Sequence, residues 1–286
     1  MLVSSPGMTA SPASDYALGS TDAEHERLIR QAALLAPCTE RFFREAGIGP
    51  GQRVLDLGSG VGDVAMMAAR LVGPSGEVVG IERDTQSITR ARVRVAEASL
   101  HNVRFTQSDA GEVSSDRPFD AAVGRFILQF LPDPVTVLRS LTRLVRPGGV
   151  FAFREVSYAP FLSLSAHLPL WSACASLLHE TLKRSGANTE IGRALHQIFQ
   201  EAGLPAPTMR MEILLGSDPD FTRWIYDLLC SLQPQIQQLN LSLEMLGGFG
   251  TLAARLQAEV AASKTVVPFV ALVGAWAHKP TGEALL

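Results

Sequence analysis

Short apolar runs alternate with stretches of helical periodicity over the central part of the chain. Apolar side chains at helical spacing, as at Val61, Val64 and Leu71, predict helices between these runs. The apolar runs predict strands at residues 53–57, 78–81, 103–107, 119–123 and 150–156. Parallel strands joined by helices are covered on both faces, so the alternation predicts one half of a doubly wound α/β sheet over residues 50–156.

The pattern changes on both sides of this region. Thr21, followed by Glu24, is a capping-box pattern that starts a helix, which Pro37 would kink or restart and which ends near Gly47. Beyond residue 156, we predict helices at 161–184, 189–202, 218–232 and 241–262, and strands at 209–215 and 266–277. Pro268 must then lie at the start of the last strand or at a bulge.

These elements predict a single domain over residues 16–286, after a disordered tail at residues 1–15 that is rich in Ser, Pro and Gly. Its parts are a ligand-binding core at 48–156, a helical cap from 16–47, 157–188 and 217–263, and C-terminal strands at 209–216 and 265–277.

Composition excludes several classes of protein. With 47% hydrophobic and 19% charged residues, the chain is too apolar to be disordered as a whole. A net charge of −3 argues against nucleic-acid binding. The longest apolar run, 12 residues at 266–277, is shorter than the roughly 18 residues of a membrane span. The first 26 residues hold no Lys or Arg, and the three cysteines are widely spaced, so we expect a cytoplasmic protein with reduced thiols and no metal site.

The sequence Val-Leu-Asp-Leu-Gly-Ser-Gly-Val-Gly-Asp at residues 54–63 places a glycine turn between a strand and a helix. Glycines let a ligand lie against bare main chain. A dinucleotide fingerprint would place its third glycine at position 63, where this chain has Asp63. Asp56, just before the turn, would repel a pyrophosphate but suit an ammonium group. The ligand is therefore not expected to be NAD.

Polar residues follow the next strands at the edge where open α/β sheets bind ligands. Glu82 ends the second strand 20 residues after Gly62, where an acid accepts hydrogen bonds from ribose hydroxyls. Asp109 follows the third strand and can accept from an adenine amino group, and Arg125 follows the fourth.

These residues resemble the class I S-adenosylmethionine-dependent methyltransferases, especially the ubiquinone/menaquinone-biosynthesis-like small-molecule type. The resemblance covers residues 16–156 and rests on 54–62, 81–84, 108–110 and 144–149. It implies a Rossmann-like, doubly wound seven-stranded sheet with the last strand antiparallel, with 209–215 and 266–277 as strands six and seven. The chain departs from the family in the long helical insertion between them.

The resemblance also implies S-adenosyl-L-methionine as cofactor and assigns roles to its binding residues. Asp56 and the loop residues Gly58, Ser59, Gly60 and Gly62 would hold its methionine end, and Glu82 its ribose. The remaining cofactor residues would be Asp109 and Ala110 at the adenine, Arg83 beside it, Arg125 near the methionine end, and Tyr16 and Gln31 closing over the site. Other interpretations stay open: a plain turn residue at Asp109, a first-turn acid at Asp63 and a salt bridge at Arg125.

Methyl transfer from a sulfonium is an in-line displacement that needs a base only if the acceptor carries a proton of high pKa. Candidate bases are Glu155, Tyr158, His167 and His179. Each has a structural alternative: Glu155 could pair with Arg154 or Arg125, and the histidines could be ordinary residues of a helix face.

Apolar residues of the predicted cap, around 161–178 and 221–232, favour a small hydrophobic acceptor, with secondary metabolism as one setting. Most of these residues would nevertheless pack on the sheet. The alternatives are a protein of the same fold that binds the cofactor but catalyses a cyclisation or rearrangement and, with Asp56 and Asp63 against it, a nicotinamide-dependent oxidoreductase. The expected partners are a small molecule, no nucleic acid and no membrane, with a monomer or homodimer as the assembly.

Overall fold

A mixed sheet flanked by helices forms the centre of the protein in a computed structural model, which describes residue 19 and residues 21–281. Its strands are β1 (Arg53–Leu57), β2 (Glu77–Glu82), β3 (Val103–Gln107), β4 (Phe119–Arg125), β5 (Val145–Ser157), β6 (Thr208–Glu212), β7 (Leu215–Gly216), β8 (Val267–Pro268) and β9 (Ala271–His278). Its helices are α1 (Asp22–Glu45), α2 (Asp63–Val72), α3 (Thr85–Glu97), α4 (Pro134–Thr142), α5 (Tyr158–Ser165), α6 (Pro169–Arg184), α7 (Ile191–Glu201), α8 (Pro219–Ser231), α9 (Gln233–Gln238) and α10 (Leu252–Ser263). The predicted tail at 1–15 lies outside the described residues.

Seven strands form the main sheet in the order β3-β2-β1-β4-β5-β9-β6. Strands β1 to β5 pair in parallel, and β9 runs antiparallel to both β5 and β6. The predicted seven-stranded sheet with an antiparallel last strand is confirmed. The strand order reverses between β1 and β4, and this switch point opens a crevice at the carboxyl ends of the two strands.

Apolar side chains on both faces of the sheet explain why these segments are strands. All five residues of β1 are buried, as expected for a parallel strand covered on both sides. One apolar cluster covers the face under α2 and α3, and a second joins the other face to the helices beyond β5. Both clusters include residues of α1, among them Leu35 in the second and Phe42 in the first.

Five predicted elements differ in extent from the structure by more than two residues, one of them β5, which begins at Val145 and not at residue 150. The predicted helix at 161–184 divides into α5 and α6, because Pro169 begins the second helix. The predicted helix at 241–262 is confined to α10, preceded by two 3₁₀ turns in a stretch with Gly247, Gly248 and Gly250. Both predicted C-terminal strands are interrupted: β7 and β8 form a separate two-stranded sheet, in which Leu215 pairs with Pro268.

Helix α1 starts as the sequence predicts, because the Thr21 hydroxyl accepts a hydrogen bond from the Glu24 N–H at 3.2 Å. It does not restart at Pro37, which lies on its exposed side within one continuous helix. Within the described residues, no helix is both long enough and apolar enough to cross a membrane.

Four aromatic rings from α5, α6, α8 and the segment before β9 pack together in the apolar cluster that also covers one face of the sheet. Trp224 on α8 lies 4.5 Å from Phe269 and 5.4 Å from Phe161 between ring centroids, and it also contacts Trp171. All four rings are buried. Most of the apolar surplus around these positions therefore stabilises the cap itself.

Carboxylates from other parts of the chain accept the first N–H groups of two cap helices, α5 and α6. Glu259 on α10 accepts the N–H groups of Leu170 and Trp171 at 2.7 and 2.8 Å, at the start of α6. Glu190 accepts those of Tyr158 and Ala159 at 2.9 and 2.8 Å, at the start of α5. Since the first N–H groups of a helix have no partner within it, these carboxylates both satisfy the helix starts and fix the cap.

Replacing Glu259 by Ala should lower the free energy of unfolding by about 1–2 kcal/mol, as for the loss of a helix cap. The measurement is urea unfolding. The matched control is Glu97→Ala, an exposed carboxylate at the end of α3, which should change stability by less than about 0.5 kcal/mol. Equal effects of the two substitutions would contradict the capping role.

Candidate cofactor and methyl-transfer site

The loop after β1 has a backbone that only glycine adopts readily. Gly58, Gly60 and Gly62 have φ values of +67°, +51° and +89°. A Cβ built at Gly58 would lie 2.6 Å from the Ile127 side chain, whereas at Gly60 it would meet no atom within 4 Å. Gly58 is thus required by packing, and Gly60 presents bare main chain to open space.

Buried polar atoms without partners lie beside this loop. Neither carboxylate oxygen of Asp56 nor the Ser59 hydroxyl makes a hydrogen bond of normal geometry within the described part of the chain. Burial raises the pKa of the Asp56 carboxyl well above its ordinary value, against the opposing charge of Arg125. Because buried polar groups in proteins are normally paired, these atoms fit a ligand that brings donors such as an ammonium group.

Glu82 at the end of β2 organises the same loop. Its carboxylate accepts the Gly60 N–H at 2.9 Å on one oxygen, and the N–H groups of Arg83 and Asp84 at 2.8 and 3.0 Å on the other. An ionised carboxylate has about four acceptor positions, so it can also receive a ribose hydroxyl. Glu82 therefore lies where the sequence predicts a ribose contact and shapes the glycine loop as well.

Asp109 and Ala110 follow β3 next to the end of β2. The N–H of Ser108 donates to the Glu82 carbonyl at 3.1 Å, which joins the two loops. Asp109 is exposed and Ala110 is partly buried. The exposed Arg83 lies in the neighbouring loop, and its carbonyl accepts from the Gln107 side chain at 3.1 Å.

Asp63 begins α2 and Arg125 ends β4, and each contacts a neighbouring helix. Asp63 forms an ion pair with Arg94 of α3 at 2.7 Å, so it ties α2 to α3. Arg125, at the end of β4, donates to the Thr39 hydroxyl of α1 at 3.3 Å. Burial lowers the pKa of Arg125, and the charges of Asp63 and Asp56 oppose this effect.

The first half of helix α1 contacts α3 and α8. Near its start, a His25 ring nitrogen lies 3.3 Å from the Ser87 hydroxyl of α3, and near its middle Arg30 forms an ion pair with Asp227 of α8 at 2.9 Å. The side-chain oxygen of Gln31 accepts from Arg27 at 2.6 Å. Tyr16, the other residue expected to close over the site, lies outside the described residues.

Three of the four candidate bases lie near the end of β5. The rings of Tyr158 and His179 are 5.7 Å apart between centroids, and His179 Nε2 lies 3.0 Å from the Thr189 hydroxyl. Burial lowers the pKa of His179. Glu155 precedes Tyr158 on the strand. His167 is exposed in the connection between α5 and α6, at the opposite end of α5 from Tyr158.

The hydrogen-bond partners of Glu155 are not Arg154 or Arg125, the two that the sequence suggests. Its Oε1 accepts the N–H groups of Ile127 and Leu128 at 3.0 and 2.9 Å, whereas the neighbouring Arg154 pairs with Glu212 of β6. Adjacent strand residues point to opposite faces, which separates the two side chains. Burial raises the pKa of Glu155 to about 8. Sequence reasoning missed Ile127, because an apolar residue after a strand carries no chemical signal.

Comparison with known proteins agrees with this geometry. A family model described as a methyltransferase domain matches residues 48–203, more than half of the chain. The chain is 35% identical over 118 residues to an arsenite methyltransferase of Halobacterium salinarum, a match that spans 41% of this chain and 30% of that protein. It is 28% identical over 178 residues to a demethylmenaquinone methyltransferase of Staphylococcus aureus, which spans 57% of this chain and 72% of the relative.

Among solved structures, the [4+2]-cyclase SpnF is similar in fold. The two structures align with a TM-score of 0.51 and 20% sequence identity over 86% of this chain and 82% of the cyclase. The sheet order, the glycine loop and the family match together show that the chain belongs to the class I S-adenosylmethionine-dependent methyltransferases of the small-molecule type.

Proposed function

We propose that this enzyme transfers the methyl group of S-adenosylmethionine to a small hydrophobic metabolite by in-line displacement, with secondary metabolism as one setting. The observation that carries the proposal is the buried Asp56 carboxylate, which makes no hydrogen bond of normal geometry within the described residues, beneath a glycine loop that Glu82 also shapes. When bound, the cofactor supplies a sulfonium methyl already activated for displacement. The residues of the chain bind, orient and exclude water.

Each residue of the crevice has a proposed part in cofactor binding. Asp56 pairs with the ammonium group and Glu82 accepts from the ribose. The others are Gly58, Ser59, Gly60, Gly62 and Arg125 near the methionine end, and Arg83, Asp109 and Ala110 near the adenine. Tyr16 and Gln31 stay predicted closing residues.

The proposed acceptor is hydrophobic because the segment after β4 is apolar and partly buried at Phe126 and Ile127. For an acceptor with a proton of high pKa, the pair of Tyr158 and His179 is the best-placed base. Burial lowers the pKa of His179 and keeps its imidazole neutral, as a proton acceptor must be.

A cytoplasmic location and a monomer or homodimer also stay proposals. Cys38, Cys174 and Cys230 are all free thiols, which suits a reducing compartment. Sedimentation of the purified chain measures its assembly.

The substitution Glu82→Gln should weaken binding of S-adenosylhomocysteine at least about tenfold, equivalent to about 1.4 kcal/mol. The amide keeps one acceptor oxygen but loses the charge and the second acceptor, on which both the ribose contact and the loop depend. Calorimetric titration measures the affinity. Glu97→Gln is the matched control and should bind like the parent enzyme; an unchanged affinity of the Glu82 variant would refute its role.

Incubation with the cofactor labelled in its methyl group should yield labelled product from one member of a panel of hydrophobic acceptors. Because a named relative acts on demethylmenaquinone, a menaquinone precursor belongs in the panel, and arsenite, on which the other named relative acts, is tested beside it as a polar acceptor. Product with a new ring or rearranged skeleton and no label would instead support a cyclisation or rearrangement. Binding of NAD without binding of the sulfonium compound would overturn the proposal.

A further inference from the structure

The turn that follows β4 has a strained backbone. Phe126 has a φ of +59°, a conformation that residues with a side chain rarely adopt. Its N–H donates to the Arg154 carbonyl of β5 at 2.9 Å. Strain of this kind persists only where neighbouring groups hold it in place.

Glu155 holds this turn from the neighbouring strand. The pairing of β4 with β5 ends at Arg125 and Arg154, so the Ile127 and Leu128 N–H groups beyond it have no partner in the strand ladder. The carboxyl of Glu155, one residue farther along β5, accepts both the Ile127 and the Leu128 N–H on its Oε1. The Glu155 side chain is fully buried. The Glu155 carboxyl thus accepts the N–H groups that a strand carbonyl would otherwise accept.

This turn places Ile127 against the glycine loop. A Cβ at Gly58 would lie 2.6 Å from the Ile127 Cδ1, and one at Gly124 would lie 3.0 Å from its Cγ2. These overlaps show that Ile127 fills the space beside both glycines. On its other side the turn reaches the cap, because the Gln129 carbonyl accepts from the Asn188 N–H at 2.8 Å.

We propose that Glu155 is a positioning residue of the methyl-transfer site and not its base: it fixes the turn at 126–128, so that Ile127 keeps the glycine loop in its cofactor-binding shape. This inference rests on the function proposed above. The contact needs only one carbonyl-type oxygen, since both N–H groups converge on Oε1. A neutral carboxyl satisfies it, in agreement with a pKa that burial raises to about 8.

Two substitutions separate this role from that of a base. Glu155→Gln keeps the acceptor oxygen and should retain kcat and the affinity for S-adenosylhomocysteine within about threefold. Glu155→Met keeps a similar volume without the acceptor and should weaken S-adenosylhomocysteine binding at least about tenfold. Hydrogen exchange at the Ile127 and Leu128 amides should accelerate in the Met variant alone.

The matched control is Glu259→Met, which removes a carboxylate that also accepts two N–H groups, but in the cap. It should accelerate exchange at Leu170 and Trp171 and leave cofactor affinity unchanged. A Gln variant that binds normally but has lost kcat would show that Glu155 is the base, and a Met variant with normal exchange and affinity would equally overturn the proposal.

If the Glu155→Met variant does not fold, Ile127→Ala tests the same series of contacts. It should weaken S-adenosylhomocysteine binding, and an unchanged affinity would refute the proposal. Failure of the parent enzyme to bind S-adenosylhomocysteine would overturn the proposed function, whereas the amide exchange still reports on the turn by itself.

The melting temperature should also depend on pH through Glu155. The pKa of its carboxyl is about 8 in the folded protein and near the ordinary 4.5 when unfolded. Its contribution to stability is therefore complete below about pH 4.5 and is lost as the pH rises to about 8. The melting temperature of Glu155→Gln relative to the parent should rise between pH 5 and 8, and a difference independent of pH would contradict the buried, protonated carboxyl.

Discussion

Backbone N–H groups that lie beyond the ends of strands and helices need acceptors, and in this protein glutamates provide them at the decisive places. Glu82 serves the glycine loop, Glu155 the turn after β4, and Glu190 and Glu259 the starts of two cap helices. An unpaired N–H in a protein interior is costly. Each carboxylate therefore fixes the backbone at a point where a strand ends or a helix begins.

The crevice follows from this constraint. The glycine loop is defined from two sides, by the hydrogen bond from Gly60 to Glu82 and by the contact of Ile127 with Gly58. Beneath it, Asp56 is buried with no hydrogen bond of normal geometry in the described part of the chain. The loop backbone has its acceptors within the chain, whereas this carboxylate is left for the cofactor contact that we propose.

The sequence predicts the parts of this arrangement that depend on periodicity and on glycine. Alternating strands and helices, the loop at Gly58 to Gly62 and the position of Glu82 all follow from local patterns, and the family resemblance supplies the antiparallel last strand. The partners of Glu155 could not be predicted, because backbone N–H groups leave no mark in the side-chain pattern. The sequence analysis predicts one helix at 161–184 although Pro169 carries the signal for its division, whereas the pairing of Pro268 with Leu215 depends on contacts between distant segments.

Most of the apolar residues beyond β5 contribute to stability and not to ligand binding. The surplus that first suggested a hydrophobic acceptor lies largely in the cap core around Trp171 and Trp224, which is continuous with one face of the sheet. These rings hold the cap in place and are not free to line a pocket. The acceptor contact that we propose therefore rests on partly buried residues after β4, such as Phe126. Because Phe126 belongs to the turn that Glu155 holds, the hydrogen bonds of Glu155 to Ile127 and Leu128 also fix the backbone next to this aromatic side chain.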